Sequence, residues 1–324
     1  MVGLKLRALV RDHLSDETVG EALGFAPGAA LVHGGEAWVF LDDHPARRLG
    51  AALAWMMRSG VSALHVIAES GSGVLARRAP EFTTPITVWH AEGRTLWPAV
   101  AEPFVPESGP PPEHMQLCDL IAAGGAEPAV EHGVLAGEVR GLEVCRVVDD
   151  NVTGEPRLDV GIGANDRDAF AMLHGAVPAV DSLARVVAVV EEQRRVGAAP
   201  HPFNRLAAER LLRWRLIDEP TLIGASALRP MSPPVPRANL KDPVPCVASG
   251  VDAEGGSIVV VCSVGVDLDL IPFAADARLA AESAPGYKET TPRLVVVTPA
   301  RDLVKVTSEI AGLLRDACEL VSID

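Results

Sequence analysis

Lysine is nearly missing from this chain. Among 324 residues it stands only at Lys5, Lys241, Lys288 and Lys305, and the other basic side chains are arginines. Few positions are therefore open to chemistry that needs a lysine. The five cysteines, Cys118, Cys145, Cys246, Cys262 and Cys318, form no CxxC pair. Cys145, Cys246 and Cys262 lie in or beside apolar strand-like runs, which predicts reduced core thiols rather than zinc ligands or disulfides. No apolar run approaches the ~18–20 residues of a membrane span. The N-terminal MVGLKLRALVRDHLSDETVG carries acids and a His inside its apolar pattern and lacks the h-region of a secretory signal. No membrane association and a cytoplasmic location are the expectations.

Positive charge is also scarce. The net charge is −14 and the pI about 5.1. Such a surface repels phosphate backbones and disfavours strong non-specific nucleic-acid binding. Several motifs are absent as well. GIGANDRDA has Gly161 and Gly163, but neither the GxGxxG spacing nor the Lys-Ser/Thr of a P-loop. ESGSG places Gly at the centre of what would be a nucleophile elbow, so Ser-His-Asp hydrolysis has no support there. As a Gly/Ser loop ahead of a helix, ESGSGVLARR (69–78) can accept an anion or serve as a plain connection. No two of the nine histidines stand at HxxxH spacing.

What is present is enough to build a core. Hydrophobic residues make up 48% and charged residues 22%, in a length suited to one large or two ordinary domains. Periodicity predicts a helix and its exit over 4–24, a strand at 37–41 and a helix over 44–60 ending on Gly60. A strand at 63–68, a short helix near 74–82 and a hairpin of 86–90 with 95–99 follow. AEPFVPESGPPPE (101–113) reads as a linker and precedes a helix near 113–123. Strands within 133–148 meet near Arg140-Gly141, and a third strand covers 157–163. Helices are expected at 166–174, 179–196 and 201–217. A Pro-rich stretch, 230–245, precedes a strand–strand–helix–strand–helix–strand order to the end.

The expected fold is α/β, with mixed sheets flanked by helices. The expected regions are an N-terminal α/β region (1–100), a linker and helix (101–132), a middle hairpin and helix region (133–200) and a C-terminal α/β region (201–324). The first and last thirds share an outline. Each has a Gly-Gly turn, an apolar strand (AWVFL, IVVVC), acids just after it (Asp42 and Asp43; Asp267 and Asp269), then alternating helices and strands. Repeated β-α-β-α-β order is common in α/β proteins.

In the C-terminal region, AAERLLRWRLIDEPTLIG (207–224), VASGVD (247–252), IVVVCSV, FAADARLA and RLVVVTPARD stand in sequence. Together they resemble the restriction-endonuclease-like core of the PD-(D/E)XK superfamily, in the branch of the RecB-type and NucS/EndoMS mismatch endonucleases. The resemblance covers about a third of the chain. It implies that Glu209 and Asp252 fill the places of the helix Glu and the strand Asp, with Mg²⁺ or Mn²⁺ as the cofactor of an active member. The chain departs from the pattern at the Glu-x-Lys motif, whose positions fall near Cys262 and Val264. Lys241 and Lys288 are the lysines nearest in sequence. The resemblance thus implies a catalytically degenerate nuclease-like domain acting in nucleic-acid processing, on DNA or beside a DNA-processing protein.

Three further groups stand out. Glu143, Asp159 and Asp166 can converge at one sheet end as a site for Mg²⁺ or Mn²⁺. Alternatively, Glu138, Arg140, Arg146 and Asp159 form cross-strand ion pairs and Asn165 or Asp166 caps a helix. Strand alternation places Glu143 and Arg146 on opposite faces. Arg205, Arg210, Arg213 and Trp214 form a basic stretch that can meet phosphates and stack on a base; alternatively Arg205, Glu209 and Arg213 make an ion-paired, solvated helix face. His65 and His90 can sit near Asp42 and Asp43 across a sheet. Beside the nuclease-like reading stand two others: a protein-interaction scaffold without DNA binding, which the acidic balance favours, and an active metal-dependent hydrolase.

Overall fold

A computed structural model describes the chain except residues 106–107, 164–166, 168–177, 196, 200, 237–241, 243, 285–289 and 324. The architecture is α/β, with mixed and antiparallel sheets and helices. The chain divides into two compact units. The first comprises Met1–Val105, Gly265–Ser283 and Pro299–Asp324, and the second Pro106–Val264 and Ala284–Thr298. Residues 201–324 thus contribute to both. Among the described residues no helix is long and apolar enough to cross a membrane.

The first unit opens with helix Val2–Leu14, whose Leu6, Leu9 and Val10 are buried. Within the expected helix and exit of 4–24, the exit begins at Ser15. Ser15 takes a left-handed φ of 53°, and Asp16 Oδ1 accepts from the Thr18 N–H and hydroxyl at 2.7 Å. Such local bonds compete with helix continuation. Strands β1 (Leu23–Phe25) and β2 (Gly28–His33) follow, neither of them expected, then β3 (Glu36–Leu41). Helix Leu49–Ser59 leads to β4 (Leu64–Ala68), helix Ser72–Arg78 to β5 (Ile86–Glu92), and a hairpin to β6 (Thr95–Pro98). The strand order is β1-β2-β3-β4-β5-β6. β1 to β3 form an antiparallel meander, β3 to β5 run parallel, and β6 returns antiparallel. On one face of the sheet Trp38, Phe40 and Ile67 pack with Leu6, Leu9 and Val10.

Helix Leu49–Ser59 is buried from Leu49 through Met56, as befits a helix that is apolar all round. It meets helix Leu270–Glu282 at Gly50, where a Cβ would fall 1.7 Å from the Leu268 carbonyl oxygen. Only glycine fits so close a backbone approach.

The second unit holds an antiparallel sheet in the order β10-β9-β8-β7, formed by β7 (Glu127–Glu131), β8 (Val134–Val139), β9 (Leu142–Asp149) and β10 (Pro156–Val160). Arg140 (φ 48°) and Gly141 (φ 76°) make the two-residue turn between β8 and β9, the geometry that favours Gly in tight hairpins. Gly141 also lies under helix Ala208–Asp218; a Cβ there would come within 2.3 Å of the Arg210 carbonyl oxygen. The unit also contains β11 (Ala225–Met231), β12 (Cys246–Asp252), β13 (Ser257–Cys262) and β14 (Arg293–Thr298). β11 to β13 form an antiparallel meander and β14 joins β13 in parallel. From Ile258 on, β13 is buried on both faces, which its run of β-branched residues allows. The chain ends with helix Lys305–Ala311 and β15 (Cys318–Ser322).

The shared outline extends further than the expected strands. Helix, three-stranded antiparallel meander, helix and a parallel fourth strand occur as 2–14, β1–β3, 49–59 and β4, and again as 208–218, β11–β13, 270–282 and β14.

Candidate functional site

The middle sheet turns its acids toward arginines. Arg146 donates to both oxygens of the buried Glu143, at 2.9 and 3.0 Å. Arg167 donates to Glu143 at 3.0 Å and pairs with Asp159 at 3.3 Å, while Arg157 pairs with Asp159 from its other side. Glu143 and Asp159 are therefore brought together, but through a shared guanidinium. Asp166, with Asn165 and Asp168, lies outside the described residues. Among the described residues no group of three His, Cys, Asp or Glu side chains is placed to hold a metal.

The bidentate pair corrects the expectation that Glu143 and Arg146 point to opposite faces. Gly137 pairs with Cys145, but the next residue, Glu138, pairs with Glu143. Val144 is an extra residue in β9. A bulge of this kind inverts the alternation beyond it, so positions three apart share a face.

The arginine stretch is also arranged differently from expectation. Helix 208–218 begins after Ala207, whose φ is 47°, and Arg205 belongs to a separate 3₁₀ turn, Pro202–Arg205. Arg205, Glu209 and Arg213 therefore do not line one helix. Arg205 is exposed, but Arg210 and Arg213 are 5% and 1% exposed. Arg210 reaches Glu131 at 2.6 Å and Glu138 at 2.9 Å; Arg213 reaches Glu138 at 3.2 Å and Glu131 at 3.4 Å. Burial opposes the charge on Arg213, but the two glutamates outweigh it and hold its pKa above the ordinary value. Trp214 donates its indole N–H to Glu127 at 3.0 Å, and the Arg140 guanidinium lies 5.2 Å from the ring centre. Two of the three guanidiniums are thus consumed inside the fold rather than offered to phosphate.

Glu209 is buried in the first turn of helix 208–218. Asp252 closes the turn between β12 and β13, where its Oδ1 accepts from the Glu254 and Gly256 N–H groups at 3.1 and 2.6 Å. Cys262 is fully buried, and burial, then neighbouring Cys246, push its thiol well above the usual range.

In the first unit the two strand histidines separate. His65 faces the side covered by helix 2–14, stacked on Trp38 at 3.8 Å and 4°. Its Nδ1 accepts from the Trp89 indole at 3.1 Å, so Nε2 carries the proton and meets Glu36 at 2.9 Å. His90 Nδ1 lies on the other face, 3.2 Å from Ser72 Oγ. Asp43 pairs instead with Arg48 and His44. Adjacent strand residues 65 and 90 differ by an odd number of pleats from a common register, Ala68 facing His90, which is why they part.

A network that sequence reasoning missed lies under helix 270–282. Arg78, with no exposed surface, pairs with Asp269 at 2.9 Å and Asp276 at 3.0 Å, and Arg77 adds a contact to Asp276 at 2.8 Å. Asp269 also accepts from the Gly50 N–H at 3.0 Å. The acids after IVVVC were visible in sequence; their partners, some 190 residues earlier, were not.

Apolar exposure in the first unit includes Leu4 and Leu23, and a group at one sheet edge: Trp97 of edge strand β6 and Val100 and Val105 just after it are 55%, 84% and 83% exposed. No protein-family model matches the chain, and no curated protein or solved structure matches it either.

Proposed function

We propose that the chain is a protein-interaction module without catalytic activity. The observation that carries this reading is where polar and apolar groups end up. Arg210, Arg213 and Arg167 neutralise Glu138 and Glu143 in buried pairs, while a tryptophan and two valines stand in solvent beside a sheet edge. Exposed aromatic and aliphatic side chains grouped near an edge are the usual anchors of protein recognition. The net charge of −14 favours a protein partner over a nucleic acid.

The nucleic-acid reading rests on Arg205, Arg210, Arg213 and Trp214, and the nuclease reading on Glu209 and Asp252. A random-peptide display selection on the purified chain tests the module directly. Enriched peptides should lose at least about tenfold in affinity on Trp97→Ala. Beside it, single-stranded, branched and mismatched DNA incubated with Mn²⁺ should be neither cleaved nor bound at physiological salt. Cleavage that disappears in Glu209→Ala/Asp252→Ala would overturn the proposal.

A further inference from the structure

A groove of about 510 Å³ runs beside β5 in the first unit, lined by Pro80, Thr84, Ile86, Thr87, Pro98 and Arg315 among others. Its floor is a strand edge. Pro85 O accepts from the Leu64 N–H, so odd-numbered residues of β5 turn their backbone groups toward β4 and even-numbered ones toward β6. Val88 O accepting from the Ala99 N–H fits that phase. Beyond Ala99 the chain departs, and its next backbone bond, Glu102 N–H to Gly73 O, is on helix 72–78. The N–H and C=O of Ile86 therefore face the open side of the sheet.

Sheet edges are ordinarily blunted by charges, bulges or a covering element. Here the open edge position is Ile86, flanked by Pro85 and Thr87, with neither a charge nor a bulge. In a chain with 43 acidic residues, no acid lines the groove. The one charged lining residue is Arg315. Its Nε and one terminal nitrogen donate to the carbonyls of Pro80 and Phe82, at 3.2 and 3.4 Å, and it forms no ion pair among the described residues. The guanidinium is thus positioned by main chain and keeps its charge for something else.

We propose that this groove binds an extended acidic peptide by strand addition to the open edge of β5, with Arg315 taking a peptide carboxylate. Main-chain bonds to Ile86 supply the register and the guanidinium supplies the selectivity. The inference rests on the protein-interaction reading and names one partner chemistry for it.

The test uses the full chain and the peptides enriched from the random library, resynthesised with a fluorophore and titrated by anisotropy. Peptides carrying Asp or Glu should bind, and should weaken at least tenfold on Arg315→Gln. Arg315→Glu should shift a repeated selection from acidic to basic peptides, which a merely structural role for Arg315 would not do. Ile86→Pro removes the edge N–H along with the Ile side chain and should weaken binding at least tenfold, whereas Ile86→Ala, which keeps the N–H, should weaken it less. Peptides that bind equally well to Arg315→Gln, Arg315→Glu and Ile86→Pro but fail on Trp97→Ala would sink the groove and leave the module reading standing. No enriched peptide at all would overturn both.

Discussion

Asp276 accepts from Arg77 at 2.8 Å and from Arg78 at 3.0 Å, and the carboxylate has no exposed surface. A charge taken so far out of water is held only by its partners. Removing the carboxylate leaves the fully buried Arg78 with Asp269 as its remaining acid, and breaking a buried pair costs about 3–5 kcal/mol. Asp276→Ala should therefore lower the urea midpoint strongly, whereas Asp12→Ala, at an exposed pair, should leave it almost unchanged.

The neighbouring acid gives the protein a pH dependence. Burial raises the Asp269 carboxyl from 3.8 to about 6, with Arg78 and the Gly50 N–H pulling the other way. Between those values the folded chain binds more protons than the unfolded one, so stability falls as pH rises. The contribution of Asp269 is full below about pH 4 and lost as pH passes about 6, a change of roughly 2–3 kcal/mol. Urea unfolding of the wild type and Asp269→Asn from pH 4 to 7 should show their difference declining across this window. A flat difference would mean that Arg78 keeps the carboxylate ionised throughout.

Gly50 has no room for a side chain. A methyl group there would lie 1.7 Å from the Leu268 oxygen and 2.5 Å from its carbon. Both are backbone atoms, so a helix must move. Gly50→Ala should cost about 1–3 kcal/mol despite the higher helix propensity of alanine, read as a fall in thermal midpoint.

The thiols should report the two packing environments separately. Cys145, Cys246 and Cys262 are buried; Cys118 and Cys318 are half-buried. Burial pushes Cys145 up to about 12 and Cys318 up to about 11. Iodoacetamide at neutral pH should modify Cys118 first and Cys318 slowly, and the other three only in denaturant. Peptide mapping by mass spectrometry checks the order; early labelling of Cys262 would contradict the packing.

Much of the fold was legible, for a reason that also explains the omissions. AWVFL, IVVVC and RLVVV are strands on local grounds, since β-branched and aromatic residues suit a pleated, buried surface. GAALVH in β2 and ASALRPM in β11 mix glycine, alanine and proline, and become strands through their neighbours β3 and β12. The β9 bulge has no signature of its own, and without it Glu143 and Arg146 read as strangers. Arg210 and Arg213 look like a basic surface because Glu131 and Glu138 lie more than 70 residues away. Strand propensity is written locally, whereas the neutralisation of a charge is decided by chain segments that meet only on folding.

The first unit is assembled from the beginning of the chain and its end. On a ribosome, Arg78 is synthesised 198 residues before Asp276, a delay of roughly 10–40 s at ordinary elongation rates. During that interval the helix that neutralises Arg78 has not been made. Completion waits for Gly265–Ser283 and the segment from Pro299 onward to leave the exit tunnel, so a nascent chain stalled before residue 265 carries an unfinished first unit.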